Sequence, residues 1–145
     1  MDTYKTIVAP CEGIFTEKRS KFIAMAFPVT TLEEIKEHLA VCQKKYFDAR
    51  HVCYAYMLGH ERKNFRANDN GEPSGTAGKP MLEVLQNQEL RNVAAVVTRY
   101  FGGILLGTGG LIRAYTLSAK EGLEKAGKLF KKYCDTLKIT ADYTF

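Results

Sequence analysis

Residues 93–115 read Val93-Ala94-Ala95-Val96-Val97-Thr98-Arg99-Tyr100-Phe101-Gly102-Gly103-Ile104-Leu105-Leu106-Gly107-Thr108-Gly109-Gly110-Leu111-Ile112-Arg113-Ala114-Tyr115. The first third is an apolar, β-branched run, the pattern of a strand buried on both faces. Glycines then break the chain. Beyond them Leu111, Tyr115, Ser118, Ala119, Gly122 and Ala126 recur at helical spacing, with small residues placed for close packing. A buried strand that passes through a glycine-rich segment into a helix is the core unit of a fold in which helices cover a sheet.

The same stretch carries the strongest chemical signal. Helix N-termini leave backbone N–H groups unpaired and hold partial positive charge. Glycines let a ligand approach those groups closely, so strand, glycine loop and helix together form an anion cradle. No acidic residue occurs between Leu90 and Lys120, whereas Arg91, Arg99, Arg113 and Lys120 do. Arg99, Gly102, Gly103, Gly107, Thr108, Gly109, Gly110 and Arg113 are therefore the candidate residues for binding an anion or nucleic acid, joined by Lys79 upstream. The alternative is that the glycines serve only turns and packing while Arg113 points to solvent.

Working outward, Tyr4 to Pro10 and Lys21 to Val29 read as strands. Thr30 and Thr31, with Glu33 and Glu34 three residues on, form a doubled capping box. Leu32, Ile35, Leu39, Cys42 and Tyr46 continue it as an amphipathic helix, with His38 on the exposed side. His51 to Leu58 is a strand. Gly59 to Lys79 reads as a long polar connection, and connections of about twenty residues in compact domains are usually functional or disordered. Pro80 suits the first turn of a short helix to Gln88, and Leu129 to Thr144 returns to strand-like alternation. These elements predict an α+β two-layer sandwich, a mixed sheet with helices on one face.

That long connection holds the second signal, Asn68-Asp69-Asn70-Gly71-Glu72-Pro73-Ser74-Gly75-Thr76-Ala77-Gly78-Lys79-Pro80. Lys79 lies at a helix start. Asp69 and Glu72 are of the type that serves as base or metal ligand, and Ser74 and Thr76 add hydroxyls. The structural alternative is an Asx-turn at Asp69 and hydroxyl caps on the backbone.

The chain has 145 residues, 46% of them hydrophobic and 26% charged, which fits one folded domain and excludes a disordered or fibrous protein. The net charge of +5 favours anionic partners: nucleic acid, nucleotides or acidic protein surfaces. No segment reads as a membrane span or a secretion signal, so the expected location is the cytoplasm. Cys11, Cys42, Cys53 and Cys134 form no CxxC pair, and Cys42, His51, Cys53 and His60 match no standard zinc spacing. No metal and no cofactor are expected. GxGxxG fails at Ile112, a Walker loop fails at Pro80, and GxSxG and HExxH are missing. A Cys53–His51 dyad is poor, because side chains two apart on a strand rarely meet tip to tip with a third, orienting group.

Residues 69–82 and 97–115, with Ser20-Lys21-Phe22-Ile23-Ala24, resemble the Impact/YigZ family over roughly residues 3–128. The resemblance implies a fold like the second domain of ribosomal protein S-five and no settled activity. Eukaryotic relatives regulate translation by competing for an activator of an initiation-factor kinase, a role that also uses an N-terminal domain not present in this sequence. Bacterial relatives usually carry a ferredoxin-like second domain. On this reading residues 1–128 form the family domain. Residues 129–145 are either the first strand of a truncated second domain or a tail recruited into the first domain's sheet.

Three functions stay in view. The leading one is a protein that binds nucleic acid or a phosphorylated ligand, linked to translation or the ribosome, with Tyr100, Phe101 and Tyr115 available to stack bases. The second is an enzyme acting on a phosphate- or carboxylate-bearing small molecule. The third is a protein–protein regulatory module with a translation-related partner. Lys79, Arg99 and Arg113 are expected to converge on one cleft between the two glycine-rich loops.

Overall fold

The computed structural model describes residues 3–59, 64–124, 126–133 and 139–144. Its elements, in chain order, are β1 (Thr3–Ile7), β2 (Cys11–Glu17), β3 (Ser20–Pro28), α1 (Leu32–Lys45), β4 (His51–Leu58), β5 (Asn64–Asn68), α2 (Gly78–Asn87), β6 (Val93–Tyr100), α3 (Gly107–Glu124), β7 (Lys128–Tyr133) and β8 (Ile139–Thr144). Strands β2-β3-β6-β4-β5 form a five-stranded sheet, and β1-β7-β8 form a second sheet of three.

The α+β class holds, with two differences in the arrangement. Every ladder between these strands is antiparallel, where a mixed sheet was expected. The chain leaves β3, crosses through α1 and returns as β4 on the far side of β6. Strands β3 and β4 thus run the same way, but each meets β6 antiparallel. The helices also cover both faces rather than one. Ala24, Cys53, Ala55, Ala95 and Val97 face α2 and α3 through Met81, Leu85, Leu111, Ala114 and Tyr115. Their alternates Phe27, Val52, Tyr56, Ala94 and Val96 pack with Ile35 and Cys42 of α1. The side-chain period of two sends each set to its own face, which is why Val93 to Arg99 are all buried.

Local chemistry sets the ends of α1. Thr31 Oγ1 accepts the Glu34 N–H at 3.2 Å, and Glu34 Oε1 accepts from the Thr30 hydroxyl at 2.7 Å. Lys44 and Lys45 close the helix, where its dipole favours cations. His38, expected on the solvent side, is half-buried and stacks on Phe27 at 4.0 Å between ring centres.

The long polar connection expected from Gly59 to Lys79 contains β5, which pairs with β4 from Tyr54–Asn68 to Leu58–Asn64. Asn-Phe-Arg-Ala-Asn has only one apolar side chain of any size, and β5 is an edge strand whose first three residues are exposed. An edge strand held by backbone pairing leaves no hydrophobic alternation in the sequence. His60 lies outside the described residues. Cys42 and Cys53 fall on opposite faces of the sheet, so the weighed zinc quartet does not assemble.

Candidate functional site

The two glycine-rich segments meet over the end of β6. Asp69 and Glu72 are brought into position by a tight turn in which the Glu72 N–H donates to the Asp69 carbonyl at 3.0 Å. Its central residues, Asn70 and Gly71, take φ of 41° and 85°, the left-handed region that Asn and Gly tolerate. Asn70 locks the turn to the sheet: its Oδ1 accepts the Val52 N–H at 2.9 Å.

Asp69 is a structural anchor. Its carboxylate accepts the N–H groups of Gly75 at 2.9 Å, Ala77 at 3.1 Å and Gly78 at 2.9 Å. Ala77 itself offers no side-chain cap to α2, so Asp69 supplies the negative charge at that helix start. Burial alone would raise its pKa. The N–H groups of Gly75, Gly78 and Ala77 outweigh that and hold the carboxyl below its ordinary value. The Asx-type role weighed for Asp69 is thus the one the geometry displays. Thr76 is buried, with its hydroxyl donating to the Pro73 carbonyl at 2.5 Å, while Ser74 is exposed.

Glu72 is almost fully buried and meets the side chains of Arg99, Tyr115 and His51. Arg99 Nε donates to its Oε2 at 2.6 Å and Arg99 Nη2 to its Oε1 at 2.9 Å. The Tyr115 hydroxyl donates to Oε2 at 2.5 Å, and His51 Nε2 stands 3.5 Å from Oε1. His51 Nδ1 donates to the Asn70 carbonyl at 2.9 Å, which fixes the ring. The Cys53 thiol donates to the Asp69 carbonyl at 3.0 Å and lies 3.5 Å from the Tyr115 oxygen. Burial pushes the Cys53 thiol up to about 12, with Glu72 and Asp69 adding to it against the Tyr115 hydrogen bond. Burial also raises the Tyr115 phenol, helped by Cys53 and Glu72 beside it. Burial opposes the charge on Arg99, but the Glu72 carboxylate prevails and its pKa is raised.

Sequence reasoning placed Arg99 and Glu72 among the site residues without pairing them, and it missed His51, Cys53, Tyr115 and Ser20 as their neighbours. In the register Arg99 of β6 stands between His51 of β4 and Phe22 of β3, and Cys53 follows His51 on the same face. Only the strand order, which a single sequence does not state, makes β6 the neighbour of both.

Gly102 brings the other loop close. A side-chain Cβ there would collide with the Arg19 carbonyl group. Ser20 Oγ accepts the Gly102 N–H at 3.3 Å and faces Arg99 Nη1 at 3.4 Å. Lys18 and Arg19, at φ of 45° and 69°, form the exposed tip of the β2–β3 hairpin beside it. Gly103 and Gly107 take φ of 90° and 76°, and Gly107, Thr108, Gly109 and Gly110 make the first turn of α3. That turn has no acidic residue.

Between the loops lies a cavity of about 290 Å³. Phe101, Leu105, Leu106 and Leu111 supply its apolar wall, Glu72, Pro73 and Arg99 another side, and Gly107 and Thr108 its edge. Of the three cations expected to converge, Arg99 lines this cavity, whereas Lys79 and Arg113 are exposed and are not part of its wall. Arg50 is exposed at the same place, its guanidinium 5.8 Å from the Phe101 ring centre; that of Arg99 is 5.7 Å away. Among the described residues no group of three or more His, Cys, Asp and Glu side chains could hold a metal ion, and no helix is long and apolar enough to cross a membrane.

The family described as the Impact N-terminal domain matches residues 18–123, which include both loops and the whole Glu72 cluster. The chain belongs to that family. It is 44% identical over 145 residues to IMPACT family member YvyE of Bacillus subtilis, covering 67% of that protein. It is 38% identical over 127 residues to IMPACT family member YigZ of Escherichia coli, covering 62% of it. Protein IMPACT of Rattus norvegicus shares 37% identity over 95 residues, 63% of this chain and 30% of that protein. A crystal structure of a hypothetical protein superposes with a TM-score of 0.87 at 36% identity, over 91% of this chain and 65% of the other. The chain thus spans about two thirds of the bacterial relatives it matches.

Proposed function

We propose that this chain is a binding protein that recognises an anionic partner at the face where the two glycine-rich loops meet, and that it works in translation. Its charge distribution carries the reading. Both carboxylates of the first loop are spent inside the molecule, Asp69 on backbone N–H groups and Glu72 on Arg99. Lys18, Arg19, Arg50, Lys79 and Arg113 meanwhile stay exposed. Beside the loops Lys18 and Arg19 adjoin Gly102 and Arg50 lies by Phe101, while the nearby Asp48 carboxylate accepts from the Tyr100 hydroxyl; exposed cations so placed draw anions by long-range attraction. Nucleic acid and phosphorylated ligands are the first classes to test, and the family resemblance supplies the link to translation.

The reading of a protein–protein regulatory module draws on a different feature. Phe101, Ile104 and Leu105 are exposed around an apolar cavity, and Leu105 is 83% exposed. Such clusters mark interaction sites. An enzyme acting on a phosphate- or carboxylate-bearing small molecule has less support, since Glu72, the carboxylate on the cavity wall, has its acceptor positions taken.

The test is anisotropy titration of the chain with a short labelled RNA and with nucleoside monophosphates, at about 50 and about 200 mM salt. Three of these cations neutralising phosphates imply a slope of log affinity on log salt of about −2 to −3. The Arg50→Ala, Arg113→Ala double variant should flatten it by about two. Affinity that ignores salt would remove the anionic partner.

A further inference from the structure

We infer that the cavity between the loops receives one aliphatic or aromatic side chain from an acidic segment of a partner protein, whose carboxylates meet the cations at its rim. The inference rests on the reading that this face binds an anionic partner, and it names which one. The occupant follows from the wall. Phe101, Leu105, Leu106 and Leu111 present hydrocarbon, and the polar groups beside them are occupied with each other: Glu72 with Arg99 and Tyr115, Arg99 with Glu72 and Ser20. A nucleobase entering here would lose water from its edges against the leucine wall, where the hydrogen-bonding groups of Glu72 and Arg99 are engaged with each other and those of Gly107 and Thr108 stand only at the edge. A Leu or Phe side chain loses nothing polar and gains the full benefit of burial.

Stacking gives RNA no better footing. Among the described residues Phe101 is the only aromatic one of that wall, and its ring already has the guanidiniums of Arg50 and Arg99 within 5.8 and 5.7 Å. Charge complementarity selects the flanks of the peptide. Arg50 stands over the Phe101 ring, and the exposed Lys18–Arg19 turn abuts Gly102, while both loop carboxylates are engaged elsewhere. An apolar anchor in a pocket with Asp or Glu on either side satisfies both features. A neutral apolar peptide would leave the rim unused.

The experiment uses short fluorescein-labelled peptides rich in Asp and Glu, identical except for a central Phe, Leu or Ala, and a uridine RNA of equal charge. Polarisation on the full chain should show the Phe and Leu peptides binding on the order of 10–100-fold more tightly than the Ala peptide. Amide shifts should centre on Gly102, Gly107 and Thr108. Thr108→Phe, which fills the cavity, should bring the Phe-to-Ala ratio to about one while leaving the salt dependence. Leu105→Ala, an exposed position that does not threaten the fold, should lower the ratio as well. Arg50→Ala should weaken the salt dependence and keep the ratio. Equal binding of all three peptides, or an RNA that binds more tightly and is indifferent to Thr108→Phe, overturns the inference and leaves the anionic reading intact. No binding by peptide or RNA at low salt overturns both.

Discussion

Glu72 and Arg99 lie 27 residues apart and form a buried two-point ion pair at 2.6 and 2.9 Å. The pair ties the turn after β5 to the end of β6 and leaves the arginine's charge cancelled within the protein. A residue read from sequence as a ligand-binding cation is in this fold the fastener between two loops.

Breaking this pair by Glu72→Ala should cost about 3–5 kcal/mol, because it strands a buried guanidinium. The Glu72→Gln, Arg99→Met double variant should recover part of that loss, since neither charge is then left uncompensated. Urea unfolding of the two variants beside wild type checks both statements. Arg99→Ala alone should lower stability as well as any binding, so it is a poor probe of the site.

Asp69→Asn should destabilise the chain by about 1.5–3 kcal/mol at neutral pH, where the charged acceptor of three N–H groups is lost. The sign with pH follows from the lowered pKa. The stabilisation by Asp69 is fully present above the unfolded carboxyl pKa of about 3.9 and is lost as pH falls through the lower folded value. Wild type and Asp69→Asn should therefore draw together in stability as pH falls below the unfolded carboxyl value of about 3.9. Thermal melts across pH 2.5 to 7 (about these limits) measure it.

The Cys53 thiol should resist alkylation in the folded chain at pH 8 (about neutral to mildly basic conditions), because it is buried and its pKa is near 12. It should react only on unfolding, so its labelling rate should track denaturant. Peptide mapping after timed iodoacetamide exposure separates it from the half-buried Cys11. Fast native labelling of Cys53 would contradict the burial.

Gly102 and Gly109 should respond to alanine with opposite signs. At Gly102 a Cβ meets the Arg19 backbone, which cannot yield as a side-chain tip can, so Gly102→Ala should cost more than about 2 kcal/mol. At Gly109 nothing lies within 4 Å and the residue sits in a helix. Gly109→Ala should therefore stabilise by up to about 1 kcal/mol. Chemical denaturation of the two variants beside wild type decides it.

Much of the chain announces itself locally. The apolar run of β6 predicts a strand covered on both faces, the Thr–Thr–x–Glu–Glu stretch predicts the start of α1, and Asp69 offers the Asx-turn whose carboxylate holds the start of α2. These rest on short-range chemistry: alternation and capping. The placement of both helical layers, the strand β5 and the partners of Arg99 do not. Helix α1 had to be assigned a face by the crossover from β3 to β4, and β5 is held by backbone pairing with β4, which no side-chain period records. Arg99 and Glu72 were each visible as charged residues in glycine-rich surroundings. Their mutual neutralisation depends on strand order and on a turn folding back over the sheet. Sequence determines which charges exist and what local structure carries them; only the tertiary fold decides which of them remain for a partner, because pairing depends on distances of a few ångströms between segments far apart in the chain.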